Sequence, residues 1–599
     1  MSLQVNEFAF KIATANGTGS ASANGLIMQS IFRMGVPVTG KNIFPSNIQG
    51  LPTWYEIRVN KDGYTARTPI FDLMVALNPA TYRQDVEEVR SGGWLLYDST
   101  WPLSELLIRT DVTYIGVPLA EMCNSAFQGV RERILMKNIA YAGALAALLD
   151  IDKEIVRQLT LEKYAKKPAL LDSNQKAIDL GYNYVRENDD SPLPIRLEPM
   201  DKTGDSILID GNTAASLGCL YAGATVGAWY PITPATSLME GFKGFCQRYR
   251  VDPETQENRY AILQAEDELA AIGMVIGASW AGARAFTPTA GPGISLMGEF
   301  LGLAYYAEVP AVVFNVQRTG PSTGMPTRTQ QADLQICAYA SHGDTKHICL
   351  YPADPGEAFE MAAASFDLAE RFQTPVIVLS DLDIGMNDWM VPKLKWDDSY
   401  RPDRGKVLSA EELDQAKSFA RYLDLDGDNI PQRTLPGVHP KGAYFTRGSG
   451  HNKYGGYTED GPEYREVVDR IARKVDSAAD AVPRPVVSLN PKAKMSLVTI
   501  GGCHAAAVEA MNLMKADGFE FSFMRIRGFP FSSEVKEFLE GHETNFVIEQ
   551  NRDGQLRNML AVEIGVPLAK MHSLRYYEGF PMSAHHIVTG VNEFLGVAI

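Results

Sequence analysis

The sequence predicts an α/β protein built from three α/β domains, and three observations lead there. Short runs rich in Val, Ile and Phe alternate with helical patterns from end to end. Turns containing Gly and Pro separate them. The length, 599 residues, is more than one core fills. An alternation of this kind favours open, mostly parallel sheets with helices on their faces.

The first domain is placed over 1–190. Residues 7–14, EFAFKIAT, alternate as a strand, ANGTGSASANG reads as a turn, and LIMQSIFRMG has helical spacing. Strands follow at WYEIRVN, FDLMVAL, GWLLYDST and TYIGVPL, then helix over 135–187. NDDSPLPIRLEPMDKTGD reads as a linker. The second domain, 200–394, carries the strands AILQA, AVVFNVQ, HICLYPA and PVIVLSD. Charged, Pro/Gly-rich sequence connects it over 395–483 to a third domain, 484–599, with strands MSLVTIGG, FSFMRIRG and TNFVIEQN.

Apolar residues make up 45% and charged residues 21%, the proportions of a globular protein. The formal charge of −16 argues against a general affinity for nucleic acid or an anionic membrane. Cysteines stand at 123, 219, 246, 337, 349 and 503, without a CxxC or close pair. That spacing offers no cluster or zinc ligand set and suits a reducing compartment. The N-terminus lacks the layout of a signal peptide, and no apolar run is long enough to cross a bilayer, so a soluble cytoplasmic protein is expected.

Several local patterns have ordinary readings. The turn Gly17-Thr18-Gly19 has Ser22 where a dinucleotide fingerprint has its third glycine, so it reads as a tight turn. GVPVTGKN (35–42) has P-loop spacing, but Asn42 replaces the magnesium-binding hydroxyl and the segment follows a helix. YLDLDGDNIPQRTL begins like an EF-hand, yet its twelfth position is Leu435, and it reads as a solvated loop.

Three stretches carry more. In WYPITPATS (229–237), Pro231 and Pro234 fix φ on either side of Thr233 and make a stiff extended turn between two elements. In QAEDELAAIGMVIGAS, a helix starting near Glu266 puts Glu268 on the apolar stripe of Ile272, Val275 and Ile276. A carboxyl there is either paired structurally or held neutral for chemistry. In NVQRTGPSTGMPT, Arg318 directly follows a strand and is flanked by Thr319, Ser322 and Thr323. An arginine fork beyond a strand's carboxyl end suits a carboxylate or phosphate, or else a surface ion pair.

YPITP, EDELAAIG, TAGPGISLM, QRTGPSTGMPT…QQADL, LSDLDIGMN and VIEQNRDGQL occur together and in order. In this the chain resembles the α subunit of the 2-oxoacid:ferredoxin oxidoreductases, with the γ domain fused at its N-terminus. The resemblance covers nearly the whole chain. It implies a γ-like domain, a transketolase-type pyrimidine domain and a transketolase C-terminal-like domain. It also implies thiamine diphosphate, CoA as co-substrate and ferredoxin as electron acceptor. A β subunit is expected to carry the Mg2+–diphosphate site and a [4Fe–4S] cluster, in an (αβ)2 assembly. By the same resemblance, Glu268 matches the glutamate on the cofactor's aminopyrimidine ring, where a neutral carboxyl favours the imino tautomer. Thr233 matches a threonine that bonds substrate oxygens, Arg318 the arginine that holds the 2-oxoacid carboxylate, and Thr323 lies in the same substrate loop. Lys41, in GKNIFPSNIQG, is expected on a rim loop, facing the distal carboxylate of a dicarboxylic substrate. The fused layout leans toward 2-oxoglutarate over pyruvate. A non-catalytic scaffold and a nucleotide-binding ligase built on GVPVTGKN are the competing classes.

Overall fold

The computed structural model describes residues 3–45, 51–188 and 193–597. The chain folds as two compact units. One comprises Met1–Ile209 with Asn387–Lys393 and Ser583–His585, and the other comprises the remainder.

The first unit holds a six-stranded sheet in the order Val38–Ile43, Pro52–Asn60, Glu7–Ala15, Phe71–Ala76, Val89–Asp98, Thr113–Val117. The first three strands pair antiparallel and the last four parallel. Helices Val130–Leu148, Lys153–Tyr164 and Pro168–Asn188 occupy the stretch expected to be helical. One difference concerns the opening turn. The first helix starts at Ser20, well before the LIMQ run, because Gly17 and Gly19 both take left-handed φ and complete the turn alone. The small residues behind them are then free to be helical and buried: Ala23 and Asn24 face the core.

The second unit contains two sheets. Seven strands lie in the order Ala261–Gln264, Val226–Trp229, Ala285–Thr289, Ala311–Gln317, Pro375–Asp381, Ile348–Leu350, Gly528–Phe529. All but the last pair are parallel. The central strand Ala311–Gln317 is buried along its whole length, as expected for a parallel sheet covered on both faces. A five-stranded sheet follows: Val486–Ser488, Phe521–Ile526, Met495–Ile500, Thr544–Glu549, Met571–Arg575. One apolar cluster runs from Ile272, Met297 and Val313 through to Val498, Met524 and Val547, so both sheets share a core. The segment before it is partly helical, Gly461–Ser477, rather than wholly irregular connection. The strand Ser206–Ile209 pairs with Trp389–Pro392, and both group with the first unit although the sequence places them within 200–394.

Candidate functional site

Four strands of the seven-stranded sheet deliver side chains to its carboxyl edge. The strand Val226–Trp229 ends directly before Tyr230-Pro231-Ile232-Thr233-Pro234, and helix Thr236–Tyr249 begins two residues later. Three successive carbonyls of this turn are used. Ile232 O accepts from Ala235 N at 2.8 Å and Thr236 N at 3.1 Å. Thr233 O accepts from Arg318 Nη1 at 2.7 Å. Pro234 O accepts from the buried Asn212 Nδ2 at 2.8 Å. The backbone of Thr233 is therefore pinned from three sides. Its half-buried hydroxyl makes no hydrogen bond to the described residues.

Glu268 is the first residue of helix Glu268–Trp280, two positions later than the sequence suggested. Asp267 is the cap, its carboxylate accepting from Ala270 N at 2.7 Å, and this capping bond fixes the start. The stripe itself is as expected: Glu268, Ile272, Val275 and Ile276 are all buried, whereas Glu266 and Asp267 are exposed. Among the described residues nothing hydrogen-bonds the Glu268 carboxyl. It lies against the first turn of helix Gly291–Tyr306, where a Cβ on Gly293 would fall 2.8 Å from Glu268 Cγ and 2.0 Å from Thr289 Oγ1. A carboxyl on a residue so little exposed, with no partner among the described residues, is open to a bond from a bound group. That fits a group waiting for a ring nitrogen.

Arg318 follows the strand Ala311–Gln317 and is only 9% exposed. Its Nε is buried, with no hydrogen-bond partner among the described residues. Burial pulls its pKa down, and the carboxylates of Asp333 and Glu268 oppose this. A desolvated guanidinium with an unused donor is prepared for an anion. Thr323 stands apart: it is exposed, in the turn closed by the bridge between Thr319 and Met325.

The edge also holds residues the sequence reading passed over. Asn212 anchors the proline turn, and Asp333, the acidic residue of QQADL, accepts from Asn315 Nδ2 at 3.0 Å. Asn212 directly follows the Asp210–Gly211 helix start, a capping signal that marks the position but not its target.

Lys41 belongs to the first unit and is not on a loop. It lies in the strand Val38–Ile43, is 4% exposed, and has its Nζ 3.8 Å from the centroid of the Trp389 ring. The rim-loop expectation is corrected for this residue, since VTGKNI alternates well enough to pair with Pro52–Asn60. Residues 46–50 of the supposed loop lie outside the described residues. Lys41 is opposite Glu56, which accepts from Arg67 at 2.7 and 2.8 Å.

The first unit has a cleft of its own, beyond the carboxyl ends of Glu7–Ala15, Phe71–Ala76 and Val89–Asp98. One part, of about 250 Å³, includes Thr14, Thr18, Arg133 and Lys137. An apolar part of about 490 Å³ includes Tyr82, Tyr97 and Leu103, and both share Leu77, Trp101 and Lys137. Thr14 Oγ1, Tyr82 OH and Asp98 Oδ2 are buried there without hydrogen bonds, and Lys137 Nζ is 3.7 Å from Asp98 Oδ2.

In the second unit a buried glutamate at a helix start and a buried arginine thus stand at one sheet edge. The pyruvate flavodoxin/ferredoxin oxidoreductase thiamine diphosphate-binding family matches residues 217–414, and the pyruvate ferredoxin/flavodoxin oxidoreductase family matches residues 9–184. The 2-oxoacid:ferredoxin oxidoreductase 2 subunit alpha of Aeropyrum pernix is 31% identical over 93% of this chain and 93% of its own. A 2-oxoglutarate synthase subunit, KorA, of Methanothermobacter thermautotrophicus is 31% identical over 58% of this chain and 88% of its own. The solved 2-oxoglutarate:ferredoxin oxidoreductase from Magnetococcus marinus, with 2-oxoglutarate, coenzyme A and succinyl-CoA bound, superposes with a TM-score of 0.87. It is 28% identical and covers 98% of this chain and 99% of that one. The chain belongs to the 2-oxoacid:ferredoxin oxidoreductase family, as an alpha subunit with an N-terminal γ-like domain and a thiamine diphosphate-binding domain. No described helix is long and apolar enough to cross a membrane.

Proposed function

We propose that this subunit serves an enzyme converting 2-oxoglutarate and CoA to succinyl-CoA and CO2, with electrons passed to ferredoxin. The observation that carries the reading is the meeting of Thr233, Glu268 and Arg318 at one sheet edge, joined by the bond from Arg318 to Thr233 O. Arg318 holds the carboxylate next to the oxo group, using the donor it leaves unpaired. Thr233, on a backbone already fixed, offers its hydroxyl to a substrate oxygen with little further ordering. Glu268 holds the aminopyrimidine ring through its carboxyl. Thiamine diphosphate, when bound, supplies the electron sink for decarboxylation.

A β subunit completes the site with the Mg2+–diphosphate half and a [4Fe–4S] cluster, in an (αβ)2 assembly. The relatives' designation as alpha subunits supports a partner. The division into domains at 1–190, 200–394, 395–483 and 484–599 is part of the same reading. The cleft of the first unit supports the CoA side: an aromatic wall with Trp101 suits a flat base, and Lys137 with Arg133 suits phosphates. The same chemistry runs in either direction, and Thr323 is read as a rim contact of the substrate loop.

The preference for 2-oxoglutarate rests on Lys41 as the contact for the distal carboxylate and on the names of two relatives. The more general designation of other relatives favours a second reading, a broad 2-oxoacid range. The test is Lys41→Ala in the complex with the β subunit. KM should rise at least about tenfold for 2-oxoglutarate, a lost charge-assisted contact, and stay nearly unchanged for pyruvate. Equal change for both substrates contradicts the preference.

A further inference from the structure

Helix Gly291–Tyr306 opens on Gly291-Pro292-Gly293. Glycine weakens a helix relative to alanine, and it is kept where φ must be left-handed or another group must come close. Gly293 is not left-handed: it lies in regular helix, and its N–H donates to Ala290 O at 2.9 Å. Close approach remains, and the side chains that approach are those of Thr289 and Glu268. A Cβ at 293 would fall 2.8 Å from Glu268 Cγ, and 2.0 and 3.2 Å from Thr289 Oγ1 and Cβ. Carbon atoms in ordinary contact keep about 3.5–4.0 Å. All three residues are buried, so the neighbours have little room to give way. Glu268 is thus held at two points. Its backbone is set by the cap of Asp267 on Ala270 N at 2.7 Å, and its stem lies against the bare turn at Gly293.

We propose that Gly293 is a positioning residue for the Glu268 carboxyl. Lacking a Cβ, it lets the stem of Glu268 seat against helix Gly291–Tyr306, which sets where the carboxyl meets the aminopyrimidine ring. This role presupposes Glu268 as the ring's partner, as read above. A methyl group at 293 turns the stem aside, and a misplacement of about 1 Å at a reacting centre can cost about a hundredfold. A glycine kept only for packing predicts something else. Its replacement then costs stability and loosens the whole edge, whichever group stands at 268.

The experiment uses the complex purified with its β subunit. It reads the dissociation constant of thiamine diphosphate, kcat with 2-oxoglutarate, and the melting temperature without cofactor. Thr289→Ala is the reference, because it clears the 2.0 Å contact and leaves Glu268 as the group displaced. Adding Gly293→Ala should weaken thiamine diphosphate binding about tenfold and lower kcat about 10- to 100-fold. With Glu268→Gln also present, Gly293→Ala should change both by less than about twofold, because no carboxyl is left to misplace. Glu268→Gln keeps the Cγ, so the fall in melting temperature should persist in that background. Should Thr289→Ala with Gly293→Ala fail to assemble, Thr289→Gly replaces Thr289→Ala, since it also clears the 3.2 Å contact. No loss on adding Gly293→Ala, or an equal loss with Glu268→Gln present, overturns the inference. Glu268→Gln alone leaving both the constant and kcat unchanged defeats the reading of Glu268, and the inference with it.

Discussion

Two buried cationic sites in the second unit are built in opposite ways. At Glu308 both carboxylate oxygens are matched by cations. Arg470 donates to both of its oxygens, one at 3.0 Å, and Lys474 Nζ donates to Oε2 at 2.7 Å and to Gln373 O at 3.1 Å. Arg470 also reaches Asn429 O at 2.9 Å. These cations hold the Glu308 carboxyl far below its ordinary range against strong desolvation. At Arg318, by contrast, one carbonyl bond is made and Nε is left bare. Burial costs a charge several kcal/mol wherever it occurs, so a closed set of partners serves the fold. Helix Gly461–Ser477 is tied by the first arrangement, and the second is the one proposed to take the substrate carboxylate.

The contrast can be broken by substitution. Glu308→Gln leaves Arg470 and Lys474 buried without their anion and should cost about 3–5 kcal/mol of stability. A clear drop in melting temperature should precede any specific change in KM. Arg318→Ala should reverse that pattern, lowering kcat/KM by about 10²- to 10³-fold, as for loss of one partner of a desolvated charge pair. Its melting temperature should stay close to that of the parent. A variant that changes both properties equally would erase the distinction.

Thr233→Ala should have a smaller effect, about five- to thirtyfold in turnover with assembly intact, for one lost hydrogen bond from a hydroxyl. The carbonyl contacts of the turn do not depend on that side chain. Copurification with the β subunit and steady-state rates check both parts.

A further effect concerns acid stability. Burial lowers the pKa of His347 and of His504 from 6.5 to about 4. Between those values the unfolded chain binds a proton at each that the folded chain does not, so stability rises with pH across the window. Melting temperature should therefore fall on acidification from pH 6.5 to 4, with a shallower fall in His347→Gln, which carries no titrating ring.

Much of this was legible in the sequence, for identifiable reasons. Buried parallel strands are continuous apolar runs, so AVVFNVQ and PVIVLSD declared themselves and place Arg318 at a strand end. The 3.6-residue stripe singled out Glu268 from Glu266 and Asp267, and the structure buries only that one of the three. The proline pair announced a rigid turn, but which groups hold Thr233 was invisible, because Asn212 and Arg318 come from other elements. The contacts of Asp333 escaped for the same reason, because Gly291 and Asn315 come from other elements. Lys41 was misplaced because GVPVTGKNIFP looks loop-like, whereas cross-strand pairing with Pro52–Asn60 makes it a strand.

The central claim is that this chain carries the substrate-anchoring, pyrimidine-side half of a site completed by a partner. Its most direct measurement is CoA-dependent dye reduction across several 2-oxoacids, for this chain alone and coexpressed with a β subunit. Turnover by the complex, highest with 2-oxoglutarate, and none by the isolated chain is the predicted result. Turnover by the isolated chain, or none by the complex with any 2-oxoacid, would contradict it.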